Sequence, residues 1–307
     1  MLKSKKNIWI VGLVAVVTVA GFSLISTTDK NTSKNDPQNT QSYLKPVDSF
    51  QHAHGLAVDV NDPKKLLIAT HNGLFMLQND KDLYQVGPKK DDYMGFSPHP
   101  TDSNTFFTSG HPKGGGNIGF QKTSDGGKSW QKVSDGINGP VDFHAMTVSR
   151  VNPNLAYGSY AGKLQRSLDG GKKWEQIDTN LTNVISLVSD PVDANTVYAA
   201  TTDGIMSSSD QGNTWADAAP DVSGAAVTVL AINQTQTTEW ISFSEKLGLA
   251  KSSDSGKSWK TLKIGAGDDI VLQIANDNKN PQVTYALTRA NVVYKTTDGG
   301  ESWQKVR

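Results

Sequence analysis

The chain has 307 residues, room for one large all-β domain without forcing a second. Its 30 basic and 30 acidic residues cancel to a formal net charge of +0, which disfavours a general nucleic-acid binder with its basic excess. There is no cysteine, so disulfides, thiolate metal sites, cysteine nucleophiles and a lipid anchor on an N-terminal cysteine are excluded.

Lys3, Lys5 and Lys6 precede an uncharged, mostly apolar run over residues 8–25. Eighteen residues is the lower limit for crossing a hydrocarbon core of about 30 Å and long for a signal-peptide core. The lysines predict a cytoplasmic N-terminus with the rest exported. No small-x-small cleavage site stands out. Residues 1–26 are therefore read as a single-pass anchor in the cell membrane, with a cleaved signal and a secreted product as the alternative. Residues 27–46 are rich in Thr, Asn, Lys, Asp, Gln and Ser. They bury too little apolar surface to fold and read as a flexible polar linker.

From His52 onward the sequence repeats. Six segments of 17 residues align on a common turn: 54–70, 94–110, 144–160, 185–201, 227–243 and 271–287. Each predicts a strand, a turn such as Asn61-Asp62-Pro63 or Val151-Asn152-Pro153, and a second strand. A third strand then runs into a Ser/Thr-x-Asp-x-Gly-x-x-Trp turn, and a fourth leaves from the Trp. Five such turns place Asp125, Asp169, Asp210, Asp254 and Asp298 at intervals of 44, 41, 44 and 44 residues. This is a repeat of the propeller type. Four antiparallel strands in each of six units predict a six-bladed β-propeller over residues 47–307. The first unit lacks the motif and has Gln78-Asn79-Asp80-Lys81-Asp82 at the equivalent turn.

The five turns resemble the Asp-box, or bacterial neuraminidase, repeat. Their aspartates are read as scaffold: Asp accepts backbone N–H bonds in the turn, Gly takes positive φ, and the Trp buries a large surface between blades. The first half of the chain also resembles a group of exported bacterial Asp-box propellers that carry glycosyl-hydrolase or exo-sialidase labels. The residues concerned are His52-Ala53-His54-Gly55-Leu56-Ala57-Val58, Thr70-His71-Asn72-Gly73-Leu74-Phe75, Ser109-Gly110-His111-Pro112 and Val141-Asp142-Phe143-His144.

With strand one on the central channel, connections one-to-two and three-to-four share a face with the Asp turns. Propeller ligands usually sit on the opposite face, a fold-level analogy. His52, His54, His71, His111 and His144 all fall on that opposite face in three adjacent blades, and only His99 falls on the Asp-turn face. The first positions of the six segments read His54, Met94, His144, Ile185, Val227 and Val271. The residues following them read His71, His111, Ala161, Thr202, Ser244 and Thr288. A repeat that packs with Ile or Val has no structural need for His. Converging imidazoles without cysteine suit a transition metal, and the Met94 thioether tilts the expectation to copper before zinc. The expected ligands are His52, His54, His71, Met94, His111 and His144, with Asp92, Tyr93 and Asp142 as outer partners.

The resemblance also implies a glycoside hydrolase as an alternative, with a glycan or other small molecule at the same face. A sialidase needs three arginines on a carboxylate. Of the four here, Arg150 is on the Asp-turn face, Arg166 is in an outer strand and Arg307 is the last residue, which leaves Arg289. Asp142, Asp203, Glu245, Asp268 and Asp269 are available for other glycosidase chemistry, and none is singled out, so catalytic residues stay unassigned. A third alternative is an assembly or interaction propeller, with residues 111–119 as a contact loop or lid. A monomer is expected.

Overall fold

The computed structural model describes residues 43–307. The expected membrane segment, and all of the linker before Tyr43, lie outside them. Among the described residues no helix is long and apolar enough to cross a membrane.

The described chain forms six antiparallel sheets in sequence order. Blade 1 holds β2 (Ala53–Val58), β3 (Lys65–Thr70), β4 (Gly73–Gln78) and β5 (Asp82–Val86), and blade 2 holds β6 (Asp92–Pro98), β7 (Phe106–His111), β8 (Phe120–Thr123) and β9 (Gln131–Ser134). Blade 3 runs from β10 (Ala145–Val148) to β13 (Glu175–Gln176), blade 4 from β14 (Val184–Ser189) to β17 (Ala216–Asp217), blade 5 from β18 (Val227–Ile232) to β21 (Lys260–Thr261), and blade 6 from β22 (Val271–Asn276) to β25 (Gln304–Lys305). The protein is an all-β six-bladed propeller. A further strand, β1 (Leu44–Pro46), pairs antiparallel with β5 and gives blade 1 a fifth strand. These three residues fall inside the stretch read as linker: polar composition hid a pairing that uses backbone groups alone.

Each blade junction has its own apolar core. Trp130, Trp174, Trp215, Trp259 and Trp303 pack into the junctions between blades 1 and 2, 2 and 3, 3 and 4, 4 and 5, and 5 and 6. Blade 1 has no such Trp. Phe50, Phe75, Tyr285 and Leu287 fill the junction that closes the ring instead.

The five motif turns share a core of hydrogen bonds: the Ser/Thr hydroxyl accepts the Gly amide and donates to the Asp, which accepts the amide four residues on. In Ser252 to Trp259, the Ser252 hydroxyl accepts from Gly256 N at 2.8 Å and donates to Asp254 Oδ1 at 2.8 Å. Ser258 N and the Ser258 hydroxyl donate to the two Asp254 oxygens at 2.9 and 2.6 Å. The Trp259 indole donates to the Gly256 carbonyl at 3.0 Å. Gly256 has a φ of +85°, which a side chain disfavours, and a Cβ there would meet the Trp240 ring.

The register corrects one expectation. In blade 1, Ala53 pairs with Thr70 and Gly55 with Ala69, so His54 is an extra, bulged residue. The same bulge makes Met94 and Ile185 the extra residues in blades 2 and 4, and Thr228 and Leu272 in blades 5 and 6. Thr228 and Leu272, rather than Val227 and Val271, are thus equivalent to His54. The residues equivalent to His71 in those blades are Glu245 and Arg289, rather than Ser244 and Thr288. Their amides donate to Ala226 and Ile270, as His71 N donates to His52 O.

Candidate functional site

Three repeat positions meet at the face opposite the Asp turns. The residue two before each bulge is His52, Asp92 and Asp142 in blades 1 to 3. The bulge residue is His54 and Met94 in blades 1 and 2, and the equivalent position in blade 3 is His144, which directly precedes β10. The residue at the end of strand two or directly after it is His71, His111 and Ala161. Adjacent blades therefore bring the closing His of one against the Asp of the next.

The first group is His54, His71 and Asp92. His54 Nε2 and His71 Nε2 lie 2.9 Å apart, and His71 Nδ1 bonds the Asp92 carboxylate. A carboxylate only accepts, so His71 Nδ1 carries a proton and neutral His71 leaves its Nε2 lone pair facing His54. Burial pushes the His54 pKa down to about 4, helped by repulsion from His71, His144 and His52 and opposed by Asp92. His54 is therefore neutral at physiological pH, and its Nε2 can also present a lone pair. Two nitrogens on one zinc at 2.0–2.1 Å would sit roughly 3.3 Å apart in tetrahedral geometry. The observed spacing is a few tenths of an ångström from that.

The second group is His111, Asp142 and His144. His111 Nε2 and His144 Nε2 lie 2.8 and 2.7 Å from the same atom, Asp142 Oδ2. His111 Nδ1 is 2.9 Å from the Gly116 carbonyl, which can only accept, so Nδ1 carries the proton. In neutral His111 the Nε2 lone pair then faces a carboxylate oxygen. Two acceptors at that distance require a cation between them, either a second proton or a metal ion. Bonding to Asp142 raises the His144 pKa, against the effect of burial. Asp142 is buried, and its Oδ1 has no partner among the described residues; the same holds for Asp92 Oδ1.

The two groups adjoin. Asp92 and His111 are direct cross-strand partners. The glycine before His111 makes this possible: a Cβ on Gly110 would lie 2.0 Å from the Asp92 carbonyl oxygen. Each group also acts on the other, since His144 depresses the His54 pKa and Asp92 helps to raise that of His144.

The four central imidazoles thus fall into two pairs rather than one cluster. His52 is exposed, with its ring edge-on to His71 at 5.2 Å between centroids. Met94 lines the central channel together with His54 and His144. Tyr93 is fully buried with its ring tilted against Trp130, and its hydroxyl has no partner among the described residues. His99 serves the opposite face, where its Nδ1 accepts from Thr101 N and Asp102 N. Asp92 and Asp142, read from sequence as outer partners, contact the imidazoles directly. Gly116 contributes through its backbone carbonyl, for which the glycine-rich stretch of residues 111–119 is the only sequence signal.

No protein-family model and no curated protein matches the chain. Solved structures match its fold. The Niastella koreensis GH74 enzyme superposes with a TM-score of 0.63 at 15% identity, over 86% of this chain and 46% of that one. The GH74 xyloglucanase from Xanthomonas campestris does so with a TM-score of 0.57 at 15% identity, over 83% and 45%. YCF48 bound to D1 peptide gives a TM-score of 0.51 at 14% identity, over 85% and 87%. The chain spans less than half of either GH74 structure and most of YCF48. Likeness at this identity is likeness of fold.

Proposed function

We propose that this is a membrane-tethered, extracytoplasmic Asp-box propeller that binds transition-metal ions at the two His–Asp groups of blades 1 to 3. The observation that carries the reading is His111: its Nδ1 is committed to a carbonyl, while its Nε2 and that of His144 converge on one buried carboxylate oxygen. In the first group His54 and His71 offer Nε2, and Asp92 holds His71 as an outer carboxylate partner, the arrangement that orients metal-binding imidazoles. In the second group Asp142 is itself a ligand. Nitrogen and oxygen donors without sulfur suit Zn(II) and Cu(II) alike. Met94, on the same channel wall, is the residue that would favour copper.

The GH74 and YCF48 likenesses bring no residue to this site and are consistent with several activities on one fold. Metal analysis of the full chain, purified without a histidine tag and loaded with Zn(II) or Cu(II), tests the proposal. The expected result is two bound ions per chain, with His54→Ala and His144→Ala each losing one. No stoichiometric metal in the wild type would overturn it.

A further inference from the structure

The opposite mouth of the central channel carries a second feature. After each inner strand the chain turns, and the amides of Asp59, His99, Ser149, Asp190, Asn233 and Asp277 make equivalent bonds across the turn. The next residue in each blade is Val60, Pro100, Arg150, Pro191, Gln234 and Asn278. Five of these six line the channel, Pro191 being the exception. The ring holds one charge, Arg150, and two carboxamides.

Arg150 reaches across the channel, and its Nη1 donates to the Ile232 carbonyl of blade 5 at 3.3 Å. Among the described residues its side chain has no other hydrogen bond and no carboxylate within ion-pair distance. The guanidinium is open to the channel and enclosed by protein elsewhere; loss of solvent pushes its pKa down to about 10, against the attraction of Asp190, so it stays charged. Asp190 is held by its own turn: Oδ1 accepts from Val192 N and Asp193 N, and Oδ2 from the Tyr198 hydroxyl. Asp59 and Asp277 likewise cap their own turns, and none of the three lines the channel. The side chain is half-buried, and even a partly desolvated charge without a counter-ion is costly. Its remaining donors form a planar fork suited to a carboxylate or a tetrahedral oxyanion. The half-buried side chains of Gln234 and Asn278 have no hydrogen bonds of their own among the described residues and can donate to the same guest.

We infer that the Asp-turn mouth of the channel is a binding site for a small oxyanion, clamped by Arg150 with Gln234 and Asn278. The site is independent of the His–Asp groups. Thermal unfolding of the metal-free full chain, titrated with phosphate, sulfate or acetate against chloride at matched ionic strength, tests it. The expected result is a saturable rise in Tm with at least one oxyanion, and its loss in Arg150→Gln. The oxyanion that saturates at the lowest concentration tells a tetrahedral guest from a carboxylate. If Arg150→Gln does not fold, the double variant Gln234→Leu with Asn278→Leu must raise the saturating concentration several-fold. A wild type that responds to oxyanions no more than to chloride overturns the inference. So does a response retained in Arg150→Gln, or one unchanged in the double variant; Arg150 would then be only a strut between blades 3 and 5.

Discussion

His71 and His111 hold equivalent places in blades 1 and 2, yet their ring partners differ. His71 is oriented by the Asp92 carboxylate, whereas His111 is oriented by a carbonyl in the loop that follows it. Replacing Asp92 with Asn frees His71 to turn and lowers its basicity. The expected loss is about 10–100-fold in metal affinity at the first group, with the second retained, as read by calorimetric titration. His54 gives a pH test in the metal-free protein. Its folded pKa of about 4 lies below the unfolded value of 6.5, so the unfolded chain binds the extra proton. Its contribution is complete above pH 6.5 and is lost as pH falls through about 4, amounting to roughly 2 kcal/mol once solvent screening at its open edge is allowed for. His144, with a raised pKa, acts in the opposite sense: its contribution is complete below 6.5 and fades as pH rises through its folded value. The difference between wild type and His54→Leu in urea unfolding at pH 7.5 and 5 isolates the His54 term. An equal pH response in both proteins would contradict it.

At the scale of the element, the motif turn and the junction it serves form one unit. Ser252 is fully buried, and its hydroxyl accepts the Gly256 amide while orienting Asp254. Ser252→Ala leaves that buried amide unpaired and should cost about 1–3 kcal/mol in chemical unfolding. Blade 1 has no such turn, and Asp80 does different work there. Its carboxylate accepts from the Tyr285 hydroxyl at 2.8 Å and from Lys295 at 2.6 Å, tying blade 1 to blade 6 where the Trp is missing. Lys279 and Arg307 of blade 6 add bonds to the backbone of Asn61, Lys81 and Asp48. Asp80→Ala should lower stability by about 1–3 kcal/mol and raise hydrogen exchange first in β2 to β5 and β22 to β25. Uniform exchange across all six blades would contradict a weak point at ring closure.

For the whole molecule, the blade count and the face assignment were legible because side-chain periodicity and the Ser/Thr-x-Asp-x-Gly-x-x-Trp spacing report them directly. The fifth strand of blade 1 was not, since its pairing draws on backbone groups that any sequence carries. The histidines could be placed on one face, but their division into two pairs could not be read. It depends on the bulge at His54 and Met94, which leaves no sequence signature and recurs at Thr228 and Leu272, one residue beyond the positions that the sequence pattern aligns in blades 5 and 6. The closeness of Asp92 to His111 follows from Gly110, which sequence offers only as one glycine among 28. Arg150 lies on the Asp-turn face, away from the histidines, and that placement is what puts it at the channel mouth. On the function proposed above, blades 1 to 3 hold two metal centres side by side. The most direct test is anomalous diffraction from crystals of the zinc-loaded protein. Two peaks are expected, one within about 2.0–2.1 Å of the Nε2 atoms of His54 and His71, the other at that range from His111, His144 and Asp142. Peaks only at His52, His99 or the chain termini, or none at all, would contradict it.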